Sequence, residues 1–173
     1  DIVSAVPSLF TFNIIDDRLK DIPGVVAKNV FVEVLGTTLN SDGPLLVTHS
    51  GLSAPAILKL SAFGAIALAN LNYEFEIRIN FVQQHSADCL QTLLECKPNY
   101  SKKRLVNTPL YELPKRLWSK LLQAAEIPVH TSWADVSKAQ LQALSNQLTA
   151  AVFQVHGKST FKEEFVTAGG INL

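Results

Sequence analysis

Methionine is absent from this chain, cysteine occurs only twice, and charged residues are scarce. Asp, Glu, Lys and Arg make up 17% of the 173 residues, against about 25% in an average soluble domain. A chain with so little charge is poorly suited to a fully solvated surface, so we expect another part of a protein to cover one face. The missing methionine, at position 1 as elsewhere, favours a piece of a longer polypeptide.

The net charge is zero, because 15 basic residues balance 15 acidic ones. A chain without net charge has no long-range field to attract nucleic acid or an anionic membrane, so the composition argues against both partners. No apolar run reaches the roughly 20 residues that a membrane helix requires, and no secretory leader is recognisable. We therefore expect a cytoplasmic protein.

Chemistry that depends on clustered cysteine or histidine is not indicated. Cys89 and Cys96 have six residues between them in a helical pattern, a spacing that fits neither a CxxC redox pair nor a zinc site. We expect both to be reduced thiols in the core. His85, His130 and His156 occur singly, without the spacing of zinc ligands, so the sequence predicts no metal site.

The spacing of apolar residues predicts an α+β fold in two parts. Period-two or β-branched runs predict strands at residues 10–14, 25–35, 45–48, 73–81 and 151–156. Helical spacing predicts helices that begin near residues 54, 87, 113 and 138. We expect an antiparallel, β-barrel-like body formed by residues 1–82 and 151–173, into which a small helical subdomain, residues 83–150, is inserted.

Particular residues predict where these elements begin and turn. Ser53 is a candidate N-cap, and Pro55 suits the first turn of an apolar helix that we expect to be buried on most sides over residues 54–71. Ser137 and Gln140 have the spacing of a capping box. Residues 40–44 (NSDGP) predict a hairpin turn, and residues 1–9, which lack a clear period, predict a linker or a cut end.

A polar corner interrupts the apolar pattern at residues 48–53 (THSGLS). Gly51 permits a sharp turn, and the first N–H groups of the following helix lack intrahelical partners, so the corner suits a polar or anionic ligand. Gly51 and Ser53 also resemble the nucleophile elbow of serine hydrolases. Pro55 replaces the second glycine, however, and no acid and histidine follow in a triad context. A serine hydrolase acting through Ser53 is therefore a weaker alternative.

Two basic segments leave another function open. Lys102, Lys103 and Arg104 lie in a predicted loop, and Lys115 and Arg116 lie near the start of a predicted amphipathic helix. Such charges form either the solvated face of a helix or a surface that binds RNA or a partner protein. Salt-dependent RNA binding would separate these two interpretations.

Three segments, in the same order, resemble one protein family. They are residues 46–56 (LVTHSGLSAPA), 113–118 (LPKRLW) and 157–170 (GKSTFKEEFVTAGG). They are similar to the middle part of the bacterial FAD-dependent, NAD(P)-type flavoproteins known as aminoacetone-oxidase-like (BaiN/YhiN-like), although Ala54 stands where that family usually has glycine. The resemblance covers nearly the whole chain, and implies an insert domain between the two halves of an FAD-binding Rossmann domain.

The resemblance also implies a function. It implies a flavin-dependent oxidoreductase in which this insert shapes the substrate side of the flavin pocket, with the FAD-binding domain of the same parent chain as its partner and NAD(P)H as a candidate reductant. Because the chain contains no Gly-x-Gly-x-x-Gly sequence, we expect it to be inactive and unable to hold FAD alone. The residues that the resemblance places nearest to flavin or substrate are Thr48, His49, Ser50, Gly51, Leu52, Ser53, Thr167, Ala168, Gly169 and Gly170.

Overall fold

The computed structural model describes residues 2–159 and 166–171, and within these it shows an α+β chain with antiparallel sheets. The elements in chain order are β1 (Ile2–Ser8), β2 (Thr11–Asn13), β3 (Val26–Val34), β4 (Asn40–Val47), β5 (Gly51–Ser53), α1 (Pro55–Phe63), α2 (Ala65–Asn70), β6 (Glu74–Asn80), α3 (Ser86–Asn99), a 3₁₀ turn (Leu105–Asn107), α4 (Lys115–Ala124), α5 (Lys138–Thr149), β7 (Ala151–His156), β8 (Lys158–Ser159) and β9 (Val166–Ile171). None of the helices described is long and apolar enough to cross a membrane.

The main sheet has seven strands in the order β7-β6-β3-β4-β5-β2-β8, and every neighbouring pair is antiparallel. Its two outer strands, β7 and β8, are consecutive in the chain and separated only by Gly157. Among the strands that the structure describes, the ladder itself is not closed. One short segment of chain nevertheless supplies both outer strands, so the sheet is curved and its two edges approach each other.

The inner face of this sheet forms the core of the β-rich part. In β6 the side chains of Phe75, Ile77 and Ile79 are buried while Glu74, Glu76 and Arg78 are exposed, which confirms the alternation predicted for residues 73–81. Aromatic rings close the core in edge-to-face contacts, with 5.2 Å between the ring centroids of Phe12 and Phe75.

The helices of residues 83–150 bury apolar side chains that belong to one continuous hydrophobic core with those of the sheet. The predicted capping box is confirmed at α5: the Gln140 N–H donates to Ser137 Oγ (3.1 Å) and the Ser137 N–H donates to Gln140 Oε1 (2.9 Å). Cys89 is buried in α3, Cys96 is half-buried, and both are free thiols. Burial raises the pKa of both thiols, as expected for cysteines that serve packing rather than reactivity.

The prediction of a linker at residues 1–9 is wrong. Residues 2–8 form β1, which pairs antiparallel with β9, with Ile2 opposite Ile171 and Ser8 opposite Val166. Most residues of β1 are exposed or half-exposed, so no alternation of apolar and polar residues marks the strand. A two-stranded ribbon of this kind gives little periodic signal in a sequence.

The predicted turn at residues 40–44 is also wrong, because Gly43 lies within β4 opposite Val30. The hairpin turns instead at residues 35–39, where Gly36 has φ +77°. The predicted long helix is interrupted at Gly64, where a Cβ would lie 2.6 Å from Leu39 Cδ1. It is less buried than expected, since the side chain of Phe63 is 83% exposed.

The backbone reverses between β4 and β5 in a turn that contacts β2. The Thr48 N–H donates to Gly51 O (2.9 Å), the Gly51 N–H donates to Thr48 Oγ1 (3.0 Å), and the Ile14 N–H donates to Ser50 O (2.9 Å). A Cβ at Gly51 would lie 1.9 Å from Phe12 O and 2.8 Å from Ile14 N. Only glycine fits where this turn meets the neighbouring strand.

The prediction that Ser53 caps α1 is wrong. Ser53 belongs to β5, where it pairs with Leu46, so its backbone continues the ladder instead of entering the helix. The N-cap is Ala54, which has φ 79° and ψ 176° and makes no side-chain capping bond, while Pro55 opens the helix as predicted. This backbone region is essentially restricted to glycine, and Ala54 is the residue that departs from the resembling family's glycine.

We predict that Gly51→Ala lowers the free energy of unfolding by about 3 kcal/mol or more, because the new methyl group meets main-chain atoms that cannot move without breaking the β2–β5 pairing. Urea denaturation of the chain measures the change. Ser50→Ala, at the exposed neighbouring position, is the matched control and should stay within about 0.5 kcal/mol of wild type. A loss under about 1 kcal/mol for Gly51→Ala would contradict the geometry.

We predict that Ala54→Gly stabilises the chain by about 1 kcal/mol. The substitution releases backbone strain of about 1–3 kcal/mol, which outweighs the roughly 0.5–1 kcal/mol of additional chain entropy that glycine loses on folding. Ala143→Gly, within α5, is the control and should be destabilising by about 1 kcal/mol. The same denaturation experiment measures both variants. If Ala54→Gly lowered the free energy of unfolding as much as Ala143→Gly does, Ala54 would be unstrained.

Candidate functional site

A cleft of about 340 Å³ opens beside the turn between β4 and β5. Thr48, His49 and Gly51 line one side of it, and residues 14–17, 19 and 20 line the other. Of the predicted site residues in this region, Leu52 is fully buried and Ser53 is half-buried in β5, so neither lines the cleft. Ser50 is exposed at the tip of the turn.

We call this cleft the corner cleft. Arg18 holds its opposite wall in place through contacts with other parts of the chain. Its guanidinium forms an ion pair with Asp16 (2.7 Å), donates to Gln147 Oε1 of α5 (3.1 Å) and lies 3.8 Å above the centroid of the Phe153 ring. Burial tends to raise the pKa of Asp16, but hydrogen bonds and the charge of Arg18 outweigh it and lower that pKa. The wall therefore carries a fixed carboxylate.

The corner cleft offers polar groups without an assembled catalytic site. His49 is exposed, and no hydrogen bond within residues 2–159 and 166–171 connects its ring to another side chain. The Ser53 side chain likewise has no histidine or carboxylate partner in the described part of the chain, so the arrangement of a serine hydrolase is not formed there. In the same part, no group of three His, Cys, Asp or Glu side chains is placed to hold a metal ion.

The second predicted set of site residues lies elsewhere. Thr167, Ala168, Gly169 and Gly170 are in β9, where Thr167 faces Pro7 and Gly170 faces Val3. No strand pairing among the described residues connects β9 with β5 or with the turn before it. The structure therefore does not bring the two sets together within this chain, and residues 160–165 of the third resembling segment lie outside the described residues.

The turn formed by Lys102, Lys103 and Arg104, here called the basic turn, is exposed but firmly anchored. The Trp133 N–H donates to Lys103 O (2.9 Å), and the Leu105 N–H donates to Thr131 O (3.1 Å). Two buried indoles hold the segment that follows, because Trp118 Nε1 donates to Leu105 O (2.7 Å) and Trp133 Nε1 donates to Thr108 Oγ1 (2.6 Å). The three cations thus project from a rigid backbone.

The two basic residues of α4 have different surroundings. Lys115 Nζ donates to Asn107 Oδ1 (3.1 Å), which places it beside the segment that follows the basic turn. Arg116 instead donates to the backbone oxygen of Asp21 in the β-rich part. No acidic residue lies in the first turn of α4 to offset either charge. Lys102, Lys103, Arg104 and Lys115 together are called the basic surface below.

Charge is divided unequally between the two parts of the chain. Residues 83–150 contain eight Lys and Arg and five Asp and Glu, a net charge of +3. The remainder contains seven basic and ten acidic residues, a net charge of −3. The sum over the whole chain cancels this difference, which only the separate charges of the predicted parts show.

A second cleft, of about 420 Å³, adjoins the basic surface. It lies between α4 and residues 126–129, and Val106 of the 3₁₀ turn contributes to it. Its apolar lining includes Leu122, Ile127 and Val129, of which Val129 is 66% exposed. This cleft, here called the helical cleft, was not anticipated from the sequence because its walls come from separate segments.

The described residues do not fit a complete FAD molecule. Dinucleotide-binding folds hold the pyrophosphate at a glycine-rich loop between a parallel strand and a helix. Every strand pair described here is antiparallel, and the sequence contains no such loop. If the protein uses FAD, the dinucleotide has to be held mainly by residues outside this chain.

Comparison with known proteins agrees with the resemblance seen in the sequence. The chain is 32% identical, over 164 residues and 90% of its length, to the ribosomal RNA dihydrouridine synthase of Escherichia coli (strain K12), and it spans 36% of that protein's length. The family described as "HI0933-like protein barrel and H2TH domain" matches residues 6–166. The predicted resemblance to the insert domain of a flavoprotein family is thereby confirmed, and the chain belongs to the HI0933-like family as its barrel and H2TH domain.

Proposed function

We propose that this chain is the RNA-binding insert domain of a flavin-dependent enzyme that forms dihydrouridine in ribosomal RNA. The observation that carries the proposal is the similarity, over 90% of the chain, to a ribosomal RNA dihydrouridine synthase. The flavin-dependent oxidoreductase and the RNA-binding module, which the sequence left as alternatives, then describe two aspects of one enzyme.

The chemistry requires a partner for this chain. Dihydrouridine differs from uridine by two hydrogens across a carbon–carbon double bond, so its formation needs a reductant. A reduced flavin can donate a hydride to one carbon of this bond while an acid group or water supplies a proton to the other, and NAD(P)H is a candidate for reducing the flavin. Because the described residues do not fit FAD, we assign the cofactor to the FAD-binding part of the parent chain, and to this chain the binding of RNA and the covering of the substrate side.

The pairing of β1 with β9 supports an insert. Because Ile2 lies opposite Ile171, the chain enters and leaves the described structure at neighbouring points, an arrangement compatible with insertion into another domain. We propose residues 1–82 and 151–173 as the β-barrel-like body, and residues 83–150 as the inserted helical subdomain.

We propose ribosomal RNA as a partner, contrary to the expectation from the sequence that nucleic acid is not one. That expectation depended on the zero net charge of the whole chain. The helical residues 83–150 carry a net charge of +3, and positive charge concentrated on one part attracts phosphate irrespective of the total.

The corner cleft is our candidate for the flavin-facing side. Ile15 on its wall is 92% exposed, and a large apolar side chain left in water next to polar cleft residues favours burial by another part of the protein. The exposed residues His49 and Ser50 would then lie at the interface with the FAD-binding part.

We predict that the full-length parent protein restores dihydrouridine in the ribosomal RNA of an E. coli strain that lacks its ribosomal RNA dihydrouridine synthase. Mass spectrometry of digested ribosomal RNA measures the modified nucleoside. Residues 1–173 expressed alone are the control and should restore none, because they lack the cofactor site. A flavin-loaded parent protein that accumulates in the cell without forming dihydrouridine would refute the proposal.

We predict that Ser50→Trp in the intact flavoprotein lowers kcat/KM about tenfold or more, by displacing substrate or flavin at the corner, and quenches flavin fluorescence. Thr38→Trp is the matched control, because Thr38 is exposed in the turn at the other end of β4, about 25 Å away. The control should retain the wild-type rate and fluorescence. Equal behaviour of the two variants would show that the corner does not face the flavin.

A further inference from the structure

We infer that the basic surface and the helical cleft form one RNA-binding site, in which the cations bind backbone phosphates and the cleft accepts an unpaired base. This inference rests on the proposed function, since it names the surface by which such an enzyme would hold its RNA. Three observations support it: the two features are adjacent, the backbone of the basic turn is anchored by hydrogen bonds, and the lining of the cleft suits a base.

The basic surface and the helical cleft are continuous. Val106, which lines the cleft, comes two residues after Arg104. Lys115 Nζ lies 3.1 Å from Asn107 Oδ1, and Ser119, one helical turn further along α4, lines the cleft. A strand whose phosphates lie on the cations can therefore direct a base along α4 into the cleft.

The backbone that carries the cations of the basic turn is held in place before RNA arrives. The backbone of the basic turn is bonded to residues 131–133, and the segment that follows is bonded to the buried indoles of Trp118 and Trp133. Lys103 Nζ also lies 5.2 Å from the centroid of the Tyr100 ring, which restricts its side chain. A site that is already ordered loses less entropy when it binds.

The lining of the helical cleft suits a nucleobase. Val106, Pro128 and Val129 offer accessible apolar surface to the faces of the ring, while the exposed Gln123 and Glu126 offer donor and acceptor groups to its edge. RNA-binding proteins recognise unpaired bases in this way, by combining contacts to the base face with hydrogen bonds at the edge. Val129 at the rim is a largely exposed valine that such a base would cover.

The first test removes charge from the basic turn in the intact, flavin-loaded protein. The probe is a fluorescein-labelled single-stranded RNA of about 20 nucleotides, and fluorescence anisotropy at several KCl concentrations measures binding. The triple variant Lys102→Gln, Lys103→Gln, Arg104→Gln should bind at least about tenfold more weakly near 0.1 M KCl, and its salt slope should fall by about 2.

The matched control removes three positive charges from the β-rich part, through Lys28→Gln, Lys59→Gln and Arg78→Gln. Both triple variants have the same net charge, so a difference between them reports the location of the contacts. The control should keep the wild-type affinity within about twofold and retain the salt slope. Equal weakening of both variants would overturn the inference, because it would show only a nonspecific effect of charge.

The second test fills the helical cleft. Ser119→Trp should lower affinity for the single-stranded probe without changing the salt slope, and should leave binding to a fully paired RNA duplex of the same length unaffected. Ser119→Ala is the conservative control and should bind as wild type does. A Ser119→Trp variant with wild-type affinity for the single strand would overturn the inference.

Failure of this inference can be distinguished from failure of the proposed function. Each variant is also assayed for bound FAD by visible absorbance, which should be unchanged, and for dihydrouridine formation. If wild type makes dihydrouridine while the basic-turn variant binds RNA as wild type does, the surface is wrong and the function stands. If wild type binds RNA through this surface but makes no dihydrouridine, the function is wrong and the surface stands.

Discussion

Two backbone hydrogen bonds at Gly157 hold the crossing of the chain from one edge of the main sheet to the other. Its N–H donates to Tyr73 O (2.8 Å), and its carbonyl oxygen accepts the Asn13 N–H (3.0 Å). After α5 the chain pairs β7 with β6 along six residue pairs, and at Gly157 it crosses to pair β8 with β2 at the other edge of the sheet. Residues 83–150, which carry a net charge of +3 and line the helical cleft, leave the sheet after β6 and rejoin it at β7.

The sequence predicted the elements whose signal is local. The strand at residues 73–81 alternates because one face is buried, and the capping box at Ser137 and Gln140 needs only two side chains. The predictions from sequence failed at positions where tertiary contacts determine the backbone conformation. Gly43 is of a residue type that predicts a turn but pairs with Val30 inside β4, and Ser53 is of a type that predicts a cap although the ladder with Leu46 uses its backbone. Ala54, noticed only as a departure from the family's glycine, occupies a backbone region that favours glycine.

The candidate sites likewise combine residues that the sequence predicted with residues that it did not. Thr48, His49 and Gly51 were predicted from a polar break in an apolar run, and the structure places all three on one cleft. The opposite wall comes from residues 14–20, which carry no motif, so the sequence could not supply it. The basic turn was visible in the sequence, but its significance was hidden by a charge sum over both parts of the chain. Arg116 was grouped with it, and only the contact with Asp21 shows that this residue connects the two parts.

That contact also relates the two proposed surfaces. The segment of residues 14–20 lines the corner cleft, and within it Arg18 donates to Gln147 of α5. Immediately after it, Asp21 accepts a hydrogen bond from Arg116 of α4. Arg116 in turn is the neighbour of Lys115 on the basic surface. The wall of the corner cleft is therefore joined by hydrogen bonds to both α4 and α5, the first of which carries part of the basic surface. An enzyme that reduces one base within a long RNA needs such a connection, since phosphate contacts determine the register of the strand and the reacting base has to leave its stack to reach the reductant.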